Sequence, residues 1–265
     1  MGTRNLTMVV YKEKTVVAQY GQWDGYPEGQ GARALKFLKN KKRIENLKRK
    51  SAIIKFVDDE KQKEIDAFFK SIGCKDGWMN IEQAEKYHQK YPMFSRNNGA
   101  EVLNMITKSQ EKTIWLYDSS SFAADSLSNE WTYVIDLDKN TFEVYKGFNE
   151  TELKSTERFY NMPIPTDAYG EYKQVKHVIT YSLSDLPTEK QFIAEIEAVI
   201  EKRNLNEYVT KQYNHVVNDF KVNPNKYEVY WLDDEYGTII SKDLKSLNPK
   251  AKVIGNLASL YKEIE

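Results

Sequence analysis

The sequence predicts an α+β fold, on three observations. Two short apolar runs at the N-terminus, residues 6–11 (LTMVVY) and 15–20 (TVVAQY), are separated by a polar turn and read as a hairpin. Segments with helical periodicity are grouped between residues 32 and 106, and strand-like segments follow between 113 and 183. Such grouping fits α+β better than the regular alternation of a β-α-β protein. The chain of 265 residues reads as one α+β domain, 1–265, with a subdivision into parts 1–150 and 170–265 left open.

The elements follow in order. After the hairpin comes GQWDGYPEGQG, residues 21–31, where four glycines and a proline mark a loop with special backbone angles. Helical spacing begins at Ala32, with Leu35, Phe37 and Leu38 apolar, and continues through a basic stretch, 39–50, that reads as a solvated helix face. Residues 52–57 form a short strand or an extended link. Asp58 and Asp59 are N-caps for a helix through Phe69 and Lys70 that Gly73 ends. Asn80 caps a helix over 81–91, stopped by Pro92. The segment SRNNG, 95–99, opens another with Val102, Leu103 and Ile106 on one face.

Residues 113–117 (TIWLY) read as a strand, and the serine run 119–121 as a loop. WTYVID (131–136) and FEVY (142–145) flank the turn residues 137–141 and make the clearest hairpin in the chain. Residues 149–172, with Pro163 and Pro165, read as a linker or long loop, and 173–183 as a further strand. Residues 188–203 form an amphipathic helix with Phe192, Ile196, Val199 and Ile200 inward. A second helix is expected over 205–220, a strand over 227–232 (YEVYWL) and a final helix over 253–264.

Composition excludes several classes of function. Lys+Arg and Asp+Glu both count 39, so no global charge argues for nucleic acid or an anionic membrane as partner, while near-neutrality leaves a homo-oligomer open. One cysteine, Cys74, excludes an internal disulfide and fits a reducing, cytoplasmic setting. His88, His177 and His215 show no metal-ligand spacing, and neither a metal nor a cofactor is expected. No signal-peptide or membrane-span pattern occurs, and Leu6 breaks the myristoylation pattern that Met-Gly would begin. Phosphate-binding loops, nucleophile elbows and zinc-protease motifs are also absent. Richness in Tyr, Lys and Asn suggests an AT-rich bacterial or bacteriophage gene, acting in a bacterial or infected host cell.

The most distinctive stretch is residues 2–31. In an antiparallel hairpin the start of strand one lies beside the end of strand two. Thr3 and Arg4 are therefore expected beside Gln19, Gln22, Trp23, Asp24 and Tyr26, with Arg4 and Asp24 as neighbours. A cation, a carboxylate, amides and aromatic rings beside a glycine-rich loop suit a small polar ligand.

The runs MGTRNLTMVV and VAQYGQWDGYPEGQG, with SRNNGAEVLNMI at 95–106 and the hairpin at 131–148, resemble an uncharacterised family of bacterial, phage and fungal proteins. Its members open with Met-Gly-Thr-Arg and carry an aromatic-Asp-x-Tyr-Pro-x-Gly-x-Gly loop. A more distant likeness is to N-terminal-nucleophile hydrolases of the bile-salt-hydrolase type, which implies antiparallel sheets with packed helices. In those enzymes a nucleophile follows the initiator Met, and the second strand ends in Gly-Arg-Asn-x-Asp. Asp24 occupies the matching place, but Gly2 stands where Cys or Ser is needed and Gln22 replaces Arg.

The expectation is a ligand- or partner-binding protein on such a scaffold without the nucleophile, holding a small polar ligand or a host protein and acting in phage–host defence conflict. The alternatives are an amide or peptide hydrolase that uses Thr3 after removal of Gly2, and a structural or scaffolding protein in which the loop serves only the fold.

Overall fold

In the computed structural model the described residues are 2–74, 78–165, 172–220, 228–233, 237–241 and 252–256. The chain divides into two compact units, Met1–Ile196 and Glu197–Glu265.

The first unit opens with β1 (Asn5–Tyr11) and β2 (Lys14–Gly21), paired antiparallel. Their turn places Lys12 and Glu13 at φ 53° and 60°, left-handed values that two-residue hairpin turns need and that neither side chain favours. The turn is held from outside: the carboxylate of Asp138 accepts the backbone N–H groups of both residues at 2.9 Å. A π-helical turn, Pro27–Gly31, then leads into α1 (Ala32–Leu38) and α2 (Lys41–Lys50). In α2 only Leu47 is buried, so its lysines form the solvated face that the basic run predicts.

A short strand, β3 (Ile54–Phe56), precedes α3 (Asp59–Ser71), whose N-cap Asp58 accepts from Lys61 N at 2.8 Å. Asn80 and Gln83 form a reciprocal capping box on α4 (Ile81–Lys90). After α5 (Val102–Lys108), β4 (Ile114–Leu116) pairs parallel with β3. Then come β5 (Trp131–Asp136), β6 (Thr141–Lys146) and β7 (Lys176–Ser182).

The main sheet has the order β2-β1-β5-β6-β7. It is mixed rather than antiparallel throughout, because β1 and β5 run parallel in the register Asn5↔Trp131 to Val10↔Asp136. The helical segment between the two hairpins returns the chain to the end from which it started, so the second hairpin enters in the same direction as the first.

Side-chain alternation gives the sheet two buried faces. On one, Leu6, Met8, Ala18, Val134 and Tyr145 pack with Leu153 and Phe159 from the long segment after β6. On the other, Tyr133, Phe142 and Phe192 stack in series, with ring centroids 6.2 and 5.7 Å apart. Phe192 comes from α6 (Glu189–Phe220). This one helix covers the two expected over 188–203 and 205–220, because no glycine or proline interrupts the run between them.

In the second unit β8 (Glu228–Asp233) pairs antiparallel with both β9 (Gly237–Ser241) and β10 (Lys252–Asn256). The helix expected from residue 253 is thus corrected over its first residues. Val253 and Ile254 are β-branched, and pairing with an available strand overrides a short local helical pattern. Residues 257–265 lie outside the described residues.

One charged cluster sits inside the first face. Arg158 donates to both carboxylate oxygens of Glu143 at 2.8 and 2.7 Å and to Asp136 at 2.6 Å. Glu143 and Asp136 are 7% and 2% exposed. Burial pushes both carboxyls up, but the hydrogen bonds and charge of Arg158 outweigh it, so each is held below its ordinary value. Carboxyls lowered by folding stabilise above their unfolded pKa and lose that contribution as pH falls through the folded one. Arg158→Met leaves two buried carboxylates without their cation. It is expected to cost about 3–5 kcal/mol at pH 7, and urea unfolding should show that cost shrinking below about pH 4 as the carboxyls protonate.

Candidate functional site

Asn5 begins β1 and is fully buried. Its side-chain amide donates to the carbonyls of Gly21, Trp23 and Thr3 at 3.1, 3.2 and 3.4 Å. Gly21 must be glycine for this approach, since a Cβ there would lie 2.5 Å from Asn5 Oδ1. Gly25 N donates back to Thr3 O at 3.0 Å, and Tyr133 Oη donates to Gly25 O at 2.8 Å. The glycine-rich loop is thereby fixed to the strand before it and to the sheet beneath it.

The same loop is fixed to the segment before α5. Gln22 N donates to Arg96 O at 2.8 Å, and Trp23 Nε1 to Asn97 Oδ1 at 3.1 Å. Gln30, 1% exposed, donates to Trp23 O at 3.2 Å and accepts from Ala100 N at 2.8 Å. The stretches GQWDGYPEGQG and SRNNGAEV, distant in sequence, form one hydrogen-bonded unit.

The expected site residues divide into two groups. Arg4 lies on the sheet face of Leu6, two residues before it, and so on the side of Tyr20, a residue not among those expected, which pairs with Leu6. Gln22 joins them, its Oε1 accepting from Tyr20 Oη at 2.7 Å. Gln19 is 8% exposed, and its Nε2 donates to Tyr20 O at 2.8 Å and Ser95 O at 3.3 Å. Asp24 belongs elsewhere. Its φ of 56° turns the chain, its carbonyl accepts from Gln30 N at 2.8 Å, and its carboxylate meets Arg33 of α1 at 3.4 Å. Arg4 and Asp24 therefore do not pair. Trp23 and Tyr26 are half exposed, on the outside of the loop.

Thr3 is 5% exposed. Gly2 lies beneath Trp23, and a Cβ at Gly2 would fall 2.1 Å from Trp23 Cε3 and 2.6 Å from Gln22 O. Packing therefore accounts for glycine at this position.

A recess of about 250 Å³ opens beside Tyr20, lined by Gln19, Met93, Phe94, Arg96, Tyr117 and Ser119. Burial raises the Tyr20 phenol, while the nearby charges of Arg4 and Arg96 oppose the rise. The backbone N–H of Arg4 donates to Glu130 Oε1 at 3.3 Å. Among the described residues neither the Arg4 nor the Arg96 guanidinium forms an ion pair.

Two larger cavities, of about 610 and 430 Å³, hold cations of their own. Lys61 in the first is bound by Glu64 at 2.7 Å, and Arg158 in the second by Glu143 and Asp136. The recess beside Tyr20 is the smallest of the three; Lys90 and Lys108 of the first cavity and Lys139 of the second also lack an ion pair among the described residues, so what marks the recess is that its unpaired cation is an arginine. Sequence reasoning missed Asn5, Tyr20 and Arg96 as site residues. For Arg96 the available signal was its place in a second glycine-containing motif.

Gly2→Ala should lower stability by about 1–3 kcal/mol, because the contact is with backbone and a packed indole. Asp24→Asn should change it by no more than about 1 kcal/mol, since the pair with Arg33 is exposed. Thermal unfolding of both variants against wild type checks these values.

No family model, curated protein or solved structure matches the chain, so what the site does is argued from its own geometry.

Proposed function

We propose that the protein binds a small polar ligand through an anionic group held between Arg4 and Arg96, over Tyr20 and Gln22. The observation that carries this reading is Arg96, without a carboxylate partner among the described residues, on a recess with polar and aromatic walls; Arg4, on the Tyr20 face of the sheet, adds a second positive charge near that phenol. Arginine next to a ligand recess suits phosphate or carboxylate, which a guanidinium meets with paired, charge-assisted hydrogen bonds.

The scaffold is proposed to be of the N-terminal-nucleophile type without its nucleophile. The hairpin, the Gly-Gln-Trp-Asp sequence at the end of β2 and the packed Gly2 support that reading. Binding is favoured over hydrolysis by Thr3, because removing Gly2 to free its amine would also remove what Trp23 packs against. The buried Thr3 is moreover held by the Gly25 hydrogen bond.

Inorganic pyrophosphate at about 100 times its dissociation constant should stabilise the wild type by about 2.7 kcal/mol. Arg96→Gln and Arg4→Gln should each weaken that binding about tenfold, with little change in the stability of the unliganded protein. Thermal unfolding with and without pyrophosphate measures both effects. A shift that survives in the double variant Arg4→Gln/Arg96→Gln would place the anion elsewhere.

A further inference from the structure

We propose that the ligand is a nucleoside phosphate, its phosphate between Arg4 and Arg96 and its base in the recess behind Tyr20. This rests on the anion-binding reading above and adds the identity of the rest of the molecule.

Three features of the recess point to a base. The first is size. At about 250 Å³ it is smaller than the roughly 300 Å³ at which pockets for whole drug-sized ligands begin, so it suits one ring system attached to a group held outside. Arg96 lines the recess, so the charge stands at the edge of the space that the ring would fill.

The second feature is the wall. Phe94 and Tyr117 both line the recess, with centroids 4.7 Å apart. Phe94 is braced from behind by Tyr91, stacked at 5.4 Å. Aromatic side chains fixed in this way give a planar heterocycle a π-surface, and such stacking accepts any of the bases.

The third feature is the polar edge. The Gln19 amide nitrogen is committed to two backbone carbonyls, Tyr20 O and Ser95 O, which fixes the side chain's orientation. Its Oε1 has no protein donor among the described residues and is left as a fixed acceptor. The Ser119 hydroxyl, whose backbone N–H is held by Ala18 O at 3.1 Å, is a second polar group on the same wall. A fixed acceptor favours a ring that carries N–H, as every common nucleobase does, over a plain hydrocarbon ring. Anion, planar ring and N–H edge together describe a nucleotide better than a carboxylate metabolite or a sugar phosphate.

The test is isothermal titration of the full-length protein with inorganic phosphate, phenyl phosphate, the four ribonucleoside monophosphates and the corresponding nucleosides. At least one monophosphate should bind about tenfold or more tightly than phenyl phosphate, and phenyl phosphate no worse than phosphate. Gln19→Met should reduce that monophosphate to the phenyl phosphate level while phosphate binding persists. Because Gln19 also holds Ser95 O, Ser119→Ala is the second variant. Loss of the nucleotide preference in either, with phosphate binding retained, supports the proposal, and full preference in both overturns it.

Equal affinity for phosphate, phenyl phosphate and every monophosphate would overturn the nucleotide and leave the anion site standing. Equal affinity for nucleosides and their monophosphates would remove the arginines from the site and overturn both readings. Binding by none of the probes would do the same.

Discussion

The buried side chain of Asn5 is the interaction on which the candidate site depends. Its amide reaches three carbonyls, one just before β1, one at the end of β2 and one in the loop beyond. A buried carbonyl without a donor costs about 1–3 kcal/mol, so the amide makes one loop conformation much cheaper than its competitors. That conformation puts Gln22 N on Arg96 O and Trp23 Nε1 on Asn97. These contacts fix the backbone of the segment that carries Arg96. A single amide at the first strand residue thus propagates to a guanidinium more than ninety positions away.

The recess has a second cause in the sheet. β2 is an edge strand, and an uncovered edge invites pairing with other chains. Among the described residues, backbone hydrogen bonds meet this edge at Ala18 O, from Ser119 N, and just past its end, from Gln22 N to Arg96 O. Neither segment forms a regular strand against β2, so the edge is blunted without being filled. The space between the two contacts, walled by Phe94 and Tyr117, is the recess. Its rear wall continues into the hydrophobic cluster of Ile65, Tyr87 and Tyr91, against which Phe94 and Tyr117 pack, and this explains how a small cavity can keep a fixed shape beside a loop.

Much of this was legible in the sequence wherever the determinant is local. Asn80 with Gln83, Asp58 before its helix and the alternation of WTYVID against FEVY each carry their structure within a few residues. The glycines of the 21–31 loop were read as marks of special backbone angles, but none of the four has a positive φ and the left-handed residue there is Asp24; Gly21 and Gly25 are instead places where a Cβ would collide. What could not be read depends on partners far along the chain. The parallel pairing of β1 with β5 spans more than a hundred residues, and β10 became a strand because β8 offered it an edge. Hairpin geometry brought Arg4 close to the loop, as expected. It could not show that the left-handed turn at Asp24 would send that carboxylate to Arg33.

That diversion of Asp24 gives the site its electrostatic character. Had Asp24 met Arg4, the cation would have been neutralised within the loop and the Tyr20 surface would offer an anion little. Instead Arg33, on α1, takes the carboxylate, and the charges of Arg4 and Arg96 both act on the Tyr20 phenol. Over the whole chain 39 basic and 39 acidic residues cancel, so no long-range field draws anions in. Attraction is confined to the few ångströms around these two guanidiniums, well inside the roughly 10 Å over which charges are felt at 0.1 M salt. On the proposed reading, a local pair of positive charges in a neutral protein suits a compact anion better than an extended polyanion, which needs a charged surface along its length. Net neutrality and a local basic site are therefore compatible.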